Sequence, residues 1–227
     1  MTEAPAARTV RPVDAAGLVL IRQGSGEPEL LMGRRHRRHV FMPNIYVFPG
    51  GRLDPADRLP SGFPEALPPA TAAGLHRGAG RREPIEFARA AVRETLEETG
   101  LLVGAPDAAP CDSDHPAWGR FARQGLAPAF AALGFVCRAI TPTSSSRRYN
   151  TRFLMVDGAL VDGTLGGDGE LEDLAWRPAG AYRHLGLVDV TAYVLAEALA
   201  RWQAPGAGRP AMLLSYRNEA MRLTPRT

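Results

Sequence analysis

The hydrophobic and polar positions of the chain predict strands and helices that follow one another without regular βαβ alternation. Short apolar runs bounded by turn residues indicate strands at 15–22, 29–34, 45–48, 133–141, 151–156, 171–176 and 212–216. Apolar residues at helical spacing indicate helices at 83–99, 118–123 and 188–202. This irregular mixture favours an α/β fold in which a mixed sheet lies between helices.

Length and composition indicate one globular domain. The chain has 227 residues, 45% hydrophobic and 22% charged, which predicts a flexible lead at 1–13, a single domain at 14–217 and a tail at 218–227. No apolar run is long enough for a membrane span, and the first residues lack the apolar core of a signal peptide. Cys111 and Cys137 are isolated, which favours a reducing cytoplasm.

The basic residues leave three interpretations open. All 27 are arginine, and they concentrate in the segment 34–39, which includes Arg34 and Arg35. This segment is a solvated turn, a site where guanidinium groups bind a phosphate-bearing substrate, or a nucleic-acid contact. The last is least favoured, because the net charge is only +3 and few aromatic residues stand nearby. Arg147 and Arg148 are likewise either phosphate contacts or solvated.

The most informative chemistry lies in the predicted helix 83–99. Glu94, Glu97 and Glu98 share one face of that helix, because residues three and four apart are neighbours. Arg93 can pair with Glu97, which leaves Glu94 and Glu98 free for a hard cation such as Mg²⁺ or Mn²⁺. The alternative is a solvated helix face that carries an Arg–Glu pair.

A turn upstream changes that balance. The run Val47-Phe48-Pro49-Gly50-Gly51 predicts a strand that ends in a tight turn. Together with Arg93-Glu94-Thr95-Leu96-Glu97-Glu98-Thr99-Gly100-Leu101, it resembles the Nudix hydrolase signature: a glycine, five residues, a glutamate, seven residues, then Arg-Glu-apolar-x-Glu-Glu-x-Gly-apolar. Segments around Pro43, Asp54 and Thr141 resemble the coenzyme A diphosphatase-like subgroup, which has a long insertion in this signature.

Two departures from the pattern stand out. The glutamate position, which seven residues separate from Arg93, holds Ile85, with Glu83 and Glu86 as neighbouring substitutes. The segment 52–84, rich in Pro, Gly and Ala, is expected to be an insertion loop that influences substrate choice.

The resemblance implies an α/β/α sandwich, an Mg²⁺ (or Mn²⁺) cofactor and hydrolysis of a phosphoanhydride. It implies that Glu94, Glu97, Glu98 and a carbonyl of Gly51 hold the metal, that Arg93 orients Glu97, and that Glu170 is either the proton acceptor or an exposed loop acid. The implied substrate is a nucleoside diphosphate linked to another moiety. Coenzyme A or acyl-coenzyme A comes first, with ADP-ribose, a dinucleoside polyphosphate or a catalytically silent nucleotide-binding domain as alternatives. A homodimer stays open.

Overall fold

The computed structural model describes residues 10–38, 42–106 and 114–226. Its larger sheet has nine strands, with the order β10-β2-β1-β8-β7-β11-β12; β3 pairs with β2, and β4 pairs with β1. A small second sheet has the order β6-β5-β9. The strands are β1 (Val13–Gln23), β2 (Pro28–Arg35), β3 (Tyr46–Val47), β4 (Gly50–Arg52), β5 (Leu102–Pro106), β6 (Leu126–Pro128), β7 (Gly134–Ile140), β8 (Tyr149–Asp157), β9 (Val161–Asp162), β10 (Leu171–Pro178), β11 (Ala211–Arg217) and β12 (Ala220–Arg226).

Four α-helices cover the sheet within these residues. They are α1 (Pro69–His76), α2 (Pro84–Thr99), α3 (Pro116–Arg123) and α4 (Asp189–Gln203). A proline in its first turn and a capping box between Glu83 and Glu86 start α2. Gly100 ends α2 in the left-handed conformation, with φ of 75°. No helix of the described part is long and apolar enough to cross a membrane.

The central strand β1 is buried on both faces because helices pack on both sides of the sheet. Leu18 and Leu20 belong to an apolar cluster that includes Phe87 of α2. Val19, between them, belongs to a second cluster with Val194 of α4. This two-sided burial confirms the predicted α/β/α sandwich with a mixed sheet.

The sequence located the long elements well and the short ones poorly. Each predicted strand and helix is present within a few residues of its predicted ends. The short strands β4, β5, β6 and β9 were not predicted. The predicted tail at 218–227 is corrected, because residues 220–226 form β12, which pairs antiparallel with β11 along its whole length. Residues 1–9 of the predicted lead, together with His39 and Cys111, lie outside the described residues.

A buried arginine joins the sheet to the predicted insertion. Arg152 of β8 is fully buried, and its Nε and Nη2 donate to the carbonyls of Leu75 and Arg77 at 2.8 and 3.2 Å. These carbonyls end α1, where helical partners are missing. Burial lowers the pKa of the Arg152 guanidinium to about 10, although Asp14 lies 3.4 Å away. The insertion is therefore anchored to the sheet.

We expect Arg152→Leu to lower the free energy of unfolding by about 3–5 kcal/mol, because the Leu75 and Arg77 carbonyls and Asp14 each lose the buried guanidinium that bonds to them. Urea denaturation followed by circular dichroism measures this loss. Arg147→Leu, at an exposed position, serves as the control and should change stability by less than about 1 kcal/mol. Equal stability of the two variants would contradict the anchoring role.

Candidate metal and phosphate site

Two glutamates of α2 face the glycine turn at β4. Glu98 is buried, and the backbone N–H of Gly50 donates to its Oε2 at 2.8 Å. A Cβ added at Gly51 would lie 2.4 Å from the carboxyl carbon of Glu94, so only glycine lets the strand approach this closely. Glu97 is more exposed, with 43% of its side chain accessible. The structure thus brings Glu94, Glu98 and Gly51 together, as the sequence predicted.

The electrostatics of the two buried carboxylates suit a cation. Burial raises the pKa of the Glu98 carboxyl well above its usual range, and the charges of Glu94 and Glu170 add to this rise. The Gly50 N–H and the charge of Arg35 oppose it. Burial also raises the pKa of Glu94, against the opposing charge of Arg93. A bound cation would favour the ionised form of both carboxyls.

These donors do not make a complete metal site alone. In the described part of the chain, no group of three or more His, Cys, Asp and Glu side chains is arranged to hold a metal ion. Two carboxylates beside a strand of glycine backbone nevertheless match the oxygen ligands of Mg²⁺, which keeps several waters or takes substrate phosphate oxygens. The residues present therefore fit such an ion.

Arg93 organises the carboxylates differently from the prediction. Its Nη1 donates to Glu94 at 2.8 Å as well as to Glu97 at 2.9 Å. The expected Arg93–Glu97 pair is confirmed, but Glu94 is not free of it. The opposite side of the guanidinium faces Asp57, to which Nε and Nη2 each donate at 3.0 Å. Asp57 is almost fully buried, so this is an enclosed, two-bonded ion pair.

Asp57 is the site residue that the sequence analysis missed. Five residues separate Gly51 from Asp57, so Asp57 occupies the glutamate position of the signature when it is counted forward from the glycine. Counting backward from Arg93 led to Ile85, which instead packs partly buried against the apolar core. The insertion therefore follows Asp57, at residues 58–83, rather than beginning at residue 52.

Glu83 and Glu86, the suggested substitutes, serve the start of α2. Oε1 of Glu86 accepts the backbone N–H of Glu83 at 3.0 Å, and its Oε2 accepts from Arg82 at 2.7 Å. Neither residue contacts Arg93 in the described structure. They cap the start of α2, two turns or more from Glu94 and Glu98.

A second ion pair fastens the insertion to α2. The carboxylate of Glu65, in the insertion, accepts a hydrogen bond from Nε of Arg89 at 2.7 Å and another from Nη2 of the same residue. Nη1 of Arg89 donates to the carbonyl of Asp57 at 2.9 Å. Arg89 precedes Arg93 by one helical turn, so both arginines bind the segment around Asp57. The segment predicted to be a loop thus contains α1 and is bonded to α2.

The basic segment of β2 lies at the other side of the site. Arg35 is near enough to Glu98 to affect its pKa. The backbone N–H of His36 donates to the carbonyl of Glu170 at 3.1 Å, which places Glu170 beside this segment. Arg34 is half-exposed, and its Nη2 donates to Glu172 at 3.2 Å. Arg35 and Glu170 therefore lie within electrostatic range of Glu98, whereas Arg34 is held by an acid.

Arg147 and Arg148 lie elsewhere. Arg148 donates to the carbonyls of Thr141 and Val10 at 3.1 and 2.9 Å, and Arg147 is exposed in the same turn. This turn stands beside Val13 at the start of β1. Four residues of strand, roughly 13 Å, separate Val13 from the position opposite Gly50. Arg148 is thus engaged by backbone, away from the carboxylates.

Comparison with known proteins identifies the fold and the superfamily. No family model matches the chain. A crystal structure of a Nudix hydrolase from Alicyclobacillus acidocaldarius is 28% identical, with a TM-score of 0.63, over 85% of this chain and 93% of that one. The two chains therefore share a fold over most of their lengths. The chain belongs to the Nudix hydrolase superfamily.

Two further similarities describe the Nudix fold and the subgroup. A MutT protein from Bacillus halodurans has a TM-score of 0.50 at 12% identity, over 94% of this chain and 99% of that one, and shares the fold. Acyl-coenzyme A diphosphatase NUDT19 of Gallus gallus is 35% identical over an alignment of 117 positions. That alignment covers 41% of this chain and 30% of the relative, so the chain matches less than a third of that protein's length.

We expect Asp57→Asn to weaken Mn²⁺ binding by about tenfold. The substitution removes the charge that holds Arg93, and Arg93 in turn orients Glu94, the proposed metal ligand. Arg93, without its counter-charge, should bind Glu94 and Glu97 more strongly. Titration of free Mn²⁺ by electron paramagnetic resonance measures the affinity. Glu83→Gln, at the competing position, should bind Mn²⁺ within about twofold of the unmodified chain; the reverse ranking would assign the signature position to Glu83.

Proposed function

We propose that this chain is a divalent-cation-dependent diphosphohydrolase. The observation that carries the proposal is the pair of buried carboxylates, Glu94 and Glu98, held against the glycine backbone at Gly50–Gly51 with Arg35 on the far side. A diphosphate carries dense negative charge, so its hydrolysis needs a cation and positive groups around it. The two carboxylates would hold the cation and Arg35 would supply a positive group, which supports the proposal.

Each residue then has a distinct task. Glu94 and Glu98, with the Gly51 carbonyl and the more exposed Glu97, would hold Mg²⁺ or Mn²⁺. When bound, the ion neutralises phosphate charge and lowers the pKa of a bound water. Arg93 keeps Glu94 and Glu97 oriented through two charged hydrogen bonds.

The substrate contacts lie on the side of β2. Arg35 receives a phosphate group with its guanidinium, and Arg34 supports it while bonded to Glu172. Glu170, at the same edge, accepts the proton of the attacking water. Arg147 is an outer contact for a long substrate. Arg148 is better explained by its bonds to two backbone carbonyls.

Coenzyme A or acyl-coenzyme A is the first substrate that we propose. The relative from Gallus gallus is an acyl-coenzyme A diphosphatase, although the similarity covers only part of it. ADP-ribose and dinucleoside polyphosphates offer the same phosphoanhydride and are the enzymatic alternatives. Retention of Glu94, Glu97 and Glu98 argues against a silent nucleotide-binding domain.

Hydrolysis of coenzyme A, acetyl-coenzyme A, ADP-ribose, NADH and dinucleoside polyphosphates in the presence of Mg²⁺ tests this proposal. We expect release of a monophosphate product, fastest from the coenzyme A compounds. Glu98→Gln should lower kcat by about 100-fold or more, because one charged ligand is lost. Glu29→Gln, in the distant Arg22–Glu29 surface pair, should leave kcat unchanged. Nucleotide binding without turnover of any compound would instead indicate the silent domain.

A further inference from the structure

The C-terminal end of α2 is covered by a glycine-rich loop. This loop comprises residues 163–169 (Gly-Thr-Leu-Gly-Gly-Asp-Gly) and joins β9 to β10. The N–H of Gly166 donates to the carbonyl of Thr99 at 2.8 Å, and the N–H of Asp168 donates to the carbonyl of Glu97 at 3.0 Å. The last four carbonyls of a helix have no helical partner, so the loop completes the end of α2.

Gly167 makes the closest approach between the loop and the helix. Its φ is 113°, a conformation that side chains disfavour, and a Cβ added to it would lie 2.2 Å from the backbone oxygen of Glu98. Gly166 differs sharply. A Cβ there would meet only the carbonyl oxygen of Thr164, at 3.9 Å, so alanine fits without displacement.

The same loop leads directly to Glu170. The N–H of Glu170 donates to Oδ1 of Asp168 at 2.9 Å, and its carbonyl accepts the N–H of His36 at 3.1 Å. Asp168 is the residue whose own N–H bonds to Glu97. A short chain of hydrogen bonds therefore connects the backbone of the metal-facing turn of α2 with the backbone of Glu170. The charge of Glu170 also reaches Glu98, since it raises the pKa of that carboxyl.

We propose that Gly167 is a positioning residue that lets the glycine-rich loop hold the backbones of Glu98 and Glu170 at a fixed separation. The part concerning Glu170 rests on the proposed function, in which Glu170 accepts a proton. The part concerning Glu98 does not, because it depends only on the contact between Gly167 and the Glu98 backbone. The two parts can be tested separately.

The first test measures Mn²⁺ binding to the full chain, without substrate. Gly167→Ala forces the Glu98 backbone or the loop to move, so we expect its Mn²⁺ dissociation constant to rise at least fivefold. Gly166→Ala is the matched control, with the same added methyl group and the same retained N–H, and should stay within twofold. Equal affinities of these two variants would overturn the contact with Glu98 as a positioning device.

The second test is a double-mutant cycle on kcat at saturating Mg²⁺ and substrate. We expect Gly167→Ala and Glu170→Gln each to lower kcat at least tenfold, with the KM of Gly167→Ala changing less than threefold. In the Glu170→Gln background, Gly167→Ala should cost at most threefold more, because saturating Mg²⁺ offsets the weaker metal binding and the Glu170 carboxylate is already gone.

A purely stabilising loop gives different results. The losses would then multiply, and they would follow the melting temperature of each variant, which is measured in parallel. Multiplicative losses, or full activity of Glu170→Gln, would overturn the coupling to Glu170. If the unmodified chain hydrolyses none of the substrates but Mn²⁺ binding separates Gly167→Ala from Gly166→Ala, the proposed function fails and the positioning of Glu98 stands.

Discussion

The candidate site depends on one guanidinium group. Burying Glu94 beside Glu98 is unfavourable, and Arg93 offsets part of that cost by bonding to Glu94 and Glu97 on one side. Its other side is fixed by the buried carboxylate of Asp57. Arg93 therefore cannot move further towards Glu94 without weakening its two bonds to Asp57. Arg93 thus stabilises this acidic face of α2 but neutralises only part of its negative charge. The proposed cation site requires that remaining charge.

Contacts at three places on α2 make this arrangement rigid. Midway along the helix, Arg89 holds Glu65 and the carbonyl of Asp57, so the insertion packs on α2. Near its end, Glu98 is bonded to Gly50 of β4. Beyond that, the glycine-rich loop bonds the last carbonyls. Each contact uses a close backbone approach or a charged pair, so the carboxylates of this helix are held from several directions.

What the sequence could predict follows from the range of each interaction. Helix α2 was evident because its apolar period, its carboxylate spacing and Gly100 all act within one turn or two. β12 was missed because the alternation of Met221 and Leu223 with polar residues is short and is followed by Pro225, which disfavours a strand, so its pairing with β11 is what defines it. Asp57 was missed because the signature was counted from Arg93 across an insertion. The approach of Glu170 to Glu98 depends on a loop packed against a distant helix end, which no local pattern encodes.

The insertion shows why the signature tolerates interruption. The chain needs Asp57 and Arg93 to meet in space, and their two hydrogen bonds hold them together whatever the length of chain between them. Lengthening a closed loop costs little free energy, about 0.6 kcal/mol per doubling. The added residues recover some of that cost by contributing α1, whose end is bound by Arg152, and Glu65, which binds Arg89. The signature is thus a set of contacts around one arginine, and its fixed spacing in sequence is only the simplest way to satisfy them.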